Sequence, residues 1–181
     1  DRDTTGVVVF ALTLTGAREL SALLRRGDCE KTYLALLGGV MEAPASWSDT
    51  VCRREELRRV VADPGGDLAT SLVSPLAVGS DATLAAVRIL TGRTHQIRAQ
   101  ASLHGHALVG DVRYGGRADA DGYVLHAARL RIPAGAHLDE PLTLEAPLPD
   151  SSRATLIRHL GRGAVDRALA LFAEAGRDGP A

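Results

Sequence analysis

Apolar residues along this chain fall into short runs, and the spacing inside each run sets the element it predicts. Residues 6–12, GVVVFAL, are β-rich and continuously apolar, the pattern of a strand buried on both faces. Thr15 then offers a helix N-cap, and Ala17, Leu20, Leu23 and Leu24 form a stripe that stops before Gly27. Residues 30–37, EKTYLALL, predict a second strand, closed by Gly38 and Gly39. From residue 42 to 66 the text turns polar, arginine-rich and Pro-punctuated, so loops and at most one short helix are expected. Further strands are expected at 69–73, 82–90, 123–132 and 142–145. Between them Thr94 can cap a helix running to His104, with Gly105 placed to end it. After Pro149, Ser151 or Ser152 can cap a helix through Leu160, and residues 164–175 read as another. Strands dominate the middle and helices fall between them irregularly, which favours an α+β fold over a regular βαβ array.

Composition narrows this picture only slightly. A chain of 181 residues with 45% apolar and 24% charged residues suits one domain with a sizeable core. No apolar run approaches the roughly 20 residues of a membrane-spanning helix. Cys29 and Cys52 form no C-x-x-C pair and fit a reducing cytoplasm. Net charge is −1, so any nucleic-acid partner would have to meet a local patch of Arg rather than a basic molecule. Lys31 is the one lysine in a chain whose other basic residues are all Arg, which singles it out. His104 and His106 resemble an H-x-H metal pair, but no third ligand is evident and a turn after a helix accounts for them. Asp111, in V-G-D, reads as a turn or capping residue.

Three segments carry chemistry. The chain opens D-R-D-T-T-G before an apolar run, continues with K-T-Y-L-A-L at residues 31–36, and later has T-G-R-T-H-Q-I-R at residues 91–98. The last leads into L-H-G-H-A-L-V-G-D-V-R-Y-G. Together, and in this order, they resemble the RluA-type RNA pseudouridine synthases. That family carries H-R-L-D-x-x-T-S-G, K-x-Y and G-R-T-H-Q-I-R followed by G-x-P-I-x-G-D-x-x-Y-G. Thr5 stands here in place of Ser and Ala107 in place of Pro. L-H-A at 125–127 and A-P-L-P at 146–149 add to the likeness, which spans residues 1–149. The helices of residues 150–181 form an extension outside it.

The resemblance implies a mixed, largely antiparallel sheet flanked by helices and loops. It also implies an isomerase that turns uridine into pseudouridine in structured RNA, ribosomal more than transfer RNA. The reaction moves C1′ of the ribose from N1 to C5 of the same uracil. It has no net redox change and no group donor, so neither cofactor nor metal is expected. The resemblance assigns the catalytic carboxylate to Asp1, the stacking aromatic to Tyr33 and the carboxylate's partner to Arg98, whose planar fork would orient it. Lys31, Arg93, His95 and Gln96 become RNA contacts: the last three at a strand-to-helix junction, Lys31 on the same strand face as Tyr33. A monomer is expected. The family pattern begins before its Asp, and the first Met is Met41, so residues 1–181 are expected to be part of a longer native chain whose catalytic fold lacks its N-terminal part here.

Two other readings compete. D-R-D-T-T also resembles the D-x-D-x-T nucleophile loop of haloacid-dehalogenase-like phosphotransferases, but there the apolar strand precedes the motif and here it follows. A non-catalytic RNA-binding module would keep the cleft and lose the chemistry, which the retained Asp, Tyr and Arg argue against.

Overall fold

The computed structural model of the chain describes residues 1–134 and 138–176. Its centre is one eight-stranded sheet: β1 Thr5–Gly6, β2 Glu30–Gly38, β3 Ala45–Arg54, β4 Arg59–Ala62, β5 Asp67–Val78, β6 Ala82–Ile89, β7 Leu125–Ile132 and β8 Leu142–Glu145. The spatial order is β1-β7-β2-β6-β5-β3-β4, with β8 also paired to β7. Only β1–β7 is parallel. Among the described residues four α-helices and a 3₁₀ turn at Val112–Tyr114 complete the fold: α1 Leu14–Arg26, α2 Gln96–Leu103, α3 Asp150–Leu160 and α4 Arg162–Glu174. The α+β expectation of a largely antiparallel sheet therefore holds.

β2 occupies the middle, between β6 and β7, and its continuous apolar run follows from that position. Leu34 and Leu36 join Leu84, Val124, Leu156 and Val165 on the α3–α4 side. Ala35 and Leu37 join Val87, Ile97, Ala101 and Leu108 on the other, with Tyr33 packed at the margin. A register shift between Thr32 and Tyr33 against β7 marks the place where this strand meets the cleft. A third cluster, Val51, Val60, Ala69, Ala99 and Tyr114, ties the β3–β4 hairpin to α2.

Several local expectations need correction. Of residues 6–12, only Gly6 pairs in the sheet, and Val8, Phe10 and Leu12 are 68%, 80% and 96% exposed rather than buried. The free edge of β7 explains this: β1 holds it at His126 and Ala127, while Ala146 and β8 take it from Ala128 to Ile132. The apolar run has no edge left to join. Residues 42–66 hold β3 and β4 instead of loops. Thr13, not Thr15, caps α1, accepting from Gly16 N at 3.0 Å. Of the C-terminal extension, residues 177–181 lie outside the described residues. No described helix is long and apolar enough to cross a membrane.

Candidate active site

The opening D-R-D-T-T-G is fixed to β7 by its last residues. Val7 N donates to Ala127 O at 2.9 Å, and the Thr5 hydroxyl lies 2.8 Å from His126 Nδ1. His126 Nε2 faces the Ala146 carbonyl at 3.1 Å and must donate to it, so Nδ1 accepts from Thr5. Gly6 has φ +111°, and a Cβ there would stand 2.2 Å from Ala127 O. Only glycine lets the segment approach β7 so closely. This anchor carries Asp1 to the N-terminus of α2.

α2 begins one turn beyond the end of β6 and has six of its eight residues buried, Gln96 to Ala101. No side chain caps its N-terminus; instead the Gln96 amide ties the preceding loop to β5. Gln96 Oε1 accepts from Arg93 N at 2.9 Å and from the Thr91 hydroxyl at 2.8 Å, while its Nε2 donates to Thr70 O and Ser71 Oγ, each at 3.0 Å. Gln100 continues the network, accepting from Ser71 Oγ at 2.6 Å and donating to Asp49 Oδ2 at 2.7 Å. His95, not Thr94, takes the N-cap position, in the left-handed region at φ 50°, which His tolerates better than most side chains.

Arg98 projects from this helix and is 6% exposed at its side chain. Its Nε donates to Asp111 Oδ2 at 2.6 Å and its Nη2 to Asp111 Oδ1 at 2.8 Å. The guanidinium carbon also lies 4.8 Å from the Tyr114 ring centre and 4.7 Å from that of Tyr123. Burial opposes its charge, but the hydrogen bonds and charge of Asp111 outweigh this and raise its pKa. The remaining nitrogen, Nη1, reaches Asp1 Oδ2 at 3.5 Å. This corrects the expected geometry: the bidentate fork grips Asp111, and Asp1 receives one long contact. Because Asp111 already balances the Arg98 charge, Asp1 faces an ion pair rather than a bare cation. Its lone pairs stay largely unengaged.

Asp1 Oδ1 faces His95 Nε2 at 3.4 Å, and the Asp1 side chain is 14% exposed. Asp1, Thr4, Tyr33, Ile89, His95 and Leu125 are among the residues that line a cavity of about 320 Å³. Burial pushes the Tyr33 hydroxyl above its ordinary pKa, so it stays protonated near neutrality. A second cavity of about 750 Å³ adjoins, walled in part by Arg2, Arg58, Arg98, Arg113 and Tyr123. A third, of about 480 Å³, includes Arg53 and Arg93.

The sequence-derived residues thus divide. Asp1, Tyr33 and Arg98 converge, and His95 joins them. Arg93 stands at the rim, bonded through Nε to Leu68 O at 2.9 Å. Lys31 stands near Gly92, whose added Cβ would lie 3.5 Å from its Nζ; burial lowers the lysine's pKa. Gln96, also expected as an RNA contact, lines the Asp1–Tyr33 cavity but is 4% exposed, and its amide bonds inward to Arg93 N and Thr70 O. Sequence reasoning read Asp111 as a turn or capping residue, not as the buried partner of Arg98, and gave Tyr114 and Tyr123 no role. Asp111 and Tyr114 stand in the G-D-x-x-Y-G stretch, and that pattern was the available signal. Among the described residues no cluster of His, Cys, Asp and Glu could hold a metal ion.

Comparisons with known proteins point to one family. A family model described as RNA pseudouridylate synthase matches residues 1–103. An uncharacterized RNA pseudouridine synthase of Zymomonas mobilis is 37% identical over 157 residues, covering 82% of this chain and 70% of that one. The ribosomal large subunit pseudouridine synthase D of Nitrosomonas europaea is 34% identical over 182 residues, covering 93% of this chain and 53% of the relative. The chain spans about half the length of several such relatives. Among solved structures, human RNA pseudouridylate synthase domain containing 1 superposes with a TM-score of 0.66 at 28% identity, over 77% of this chain and 62% of that chain. Human RNA pseudouridylate synthase domain containing 4, at 22% identity, shares the fold with a TM-score of 0.74 over 87% of this chain and 72% of that one. The motif order, the convergence of Asp1, Tyr33 and Arg98, and these matches make the chain a member of the RluA-like family of RNA pseudouridine synthases, which are isomerases.

Proposed function

We propose that this chain converts a uridine of structured RNA to pseudouridine, with Asp1 as the reacting carboxylate and ribosomal RNA as the substrate. What carries the reading is the Asp1 carboxylate, recessed beside the Tyr33 cavity and faced, without being enclosed, by the buried Arg98 guanidinium. Such a carboxylate can add to C1′ or take a ribose proton, and either route releases N1. The uracil turns in the pocket and C5 bonds to C1′, displacing the Asp1 carboxylate on the first route or with return of the ribose proton on the second; C5 then gives up its proton and N1 gains one. Tyr33 supplies a ring face for the extruded base, a contact worth roughly 1–3 kcal/mol, which helps offset the few kcal/mol of flipping. Arg93 and Lys31 at the rim suit phosphate or ribose.

Ribosomal RNA is favoured because several relatives are named as synthases of the large ribosomal subunit. The proposed setting is the cytoplasm, in keeping with two free thiols, Cys29 and Cys52. The test is tritium release from 5-tritiated ribosomal RNA, with pseudouridine mapping in cells that lack the gene. Wild-type protein should release tritium, and Asp1→Asn should bind RNA with nearly unchanged affinity and release none. Substantial turnover by Asp1→Asn would sink the assignment.

A further inference from the structure

His95 was expected to meet RNA, yet both of its ring nitrogens face protein groups. Nδ1 lies 2.8 Å from the Tyr114 hydroxyl, and Nε2 lies 3.4 Å from Asp1 Oδ1. The Tyr114 oxygen already accepts from Val60 N at 2.8 Å, and the residue is 3% exposed. Its one proton needs an acceptor, because a buried hydroxyl left unpaired is costly. The acceptor at hand is His95 Nδ1. A neutral ring that accepts at Nδ1 carries its proton on Nε2, the atom turned toward Asp1. The opposite tautomer would strand the phenolic proton and aim a lone pair at a carboxylate. Both ends of the ring therefore select the same form.

We propose that His95 is a positioning residue for the Asp1 carboxylate: Tyr114 holds it as the Nε2–H tautomer, and it donates to Oδ1 while Arg98 holds Oδ2. This rests on the reading of Asp1 as the reacting group. Each oxygen then faces one nitrogen, at 3.4 Å and 3.5 Å, contacts loose enough to leave its lone pairs available. The charged groups around the ring keep it neutral. Burial, then Arg98, Arg113 and Arg53, lower its pKa, against the Asp1 carboxylate at 3.4 Å. The left-handed backbone at His95 is a further sign that the junction is held for this side chain.

Long-range ¹⁵N–¹H NMR of histidine-labelled protein without RNA reads the tautomer directly. The expected result is a neutral His95 protonated on Nε2 at pH 7. A proton on Nδ1, or a charged ring at that pH, would overturn the proposal. Kinetics supply a second arm that does not depend on Tyr114 variants, which would orphan Val60 N–H. Gln places an amide N–H near the Nε2 position; Asn places it near Nδ1 but suits the left-handed backbone better. Positioning predicts that His95→Gln exceeds His95→Asn by about tenfold in single-turnover rate, as expected for one hydrogen bond to a charged group. RNA affinity should be alike in the two. A merely structural role reverses that order, and an RNA-contact role moves the loss into affinity and its salt dependence; either result refutes the proposal. Wild-type protein that converts no uridine would refute the function and leave the tautomer result standing.

Discussion

Asp111 and Asp1 share one guanidinium, and the division is unequal. Asp111 takes two short hydrogen bonds to Arg98 and Asp1 takes one long contact, so the buried pair fixes the cation and the cation merely faces the reacting carboxylate. Lys has no fork with which to serve both. Arg98→Lys should therefore lose at least tenfold in single-turnover rate although charge is conserved, and a wild-type rate would show that charge alone suffices. Asp111→Asn leaves a buried cation poorly compensated and should cost about 3–5 kcal/mol in denaturant unfolding; a loss under ~1 kcal/mol would mean that Asp1 or the tyrosine rings take over the pairing. At Tyr33, Phe should keep most of the rate and Leu should not, with equal rates counting against stacking. Asp1, Tyr33 and Arg98 were legible because each belongs to a contiguous motif. The roles of Asp111, Tyr114 and Tyr123 were not, since a carboxylate or phenol declares its partner only once 3₁₀ turn, helix and loop are brought together.

Elements hold the site by close backbone approach. Gly6→Ala forces a Cβ against the Ala127 carbonyl and should lower both Tm and activity, whereas Gly105→Ala, also at positive φ but with nothing within 4 Å of the added carbon, should lower Tm slightly and spare activity. Equal effects on activity would show that the Thr5–Gly6 anchor does not set Asp1. β2 was readable because a strand central to the sheet needs apolar side chains on both faces. The β3–β4 hairpin was not: on its inward face Asp49 stands between Trp47 and Val51, breaking the alternation. That Asp is there to accept from Gln100, at 2.7 Å, and to pair with His104, at 3.1 Å. The apolar run after Gly6 misled for the opposite reason, since hydrophobicity reports the wish for a partner and not whether another strand has taken the edge.

Across the whole molecule, a net charge of −1 conceals an arginine-lined cleft, with Arg2, Arg53, Arg58, Arg93 and Arg113 on the walls of three adjoining cavities. RNA affinity should thus fall steeply with salt, and Arg58→Ala or Arg113→Ala should each flatten the log–log slope by about one phosphate contact. Fluorescence anisotropy across a salt series measures this. A flat wild-type slope would contradict a cleft that tracks phosphates.

The helix that carries Arg98 has six of its eight residues buried, whereas α1 has none. In amide hydrogen exchange this contrast becomes a difference in how each helix opens. Amides of α1 exchange through cheap local fraying, while those of α2 exchange only when the Gln96–Gln100 network and the cores on which it sits come apart together. Deuterium should enter α1 within seconds and α2 only at the rate of global unfolding. Partial destabilisation by heat or mild denaturant would then strip the periphery first and leave the Arg98–Asp111 pair among the last native features to be lost.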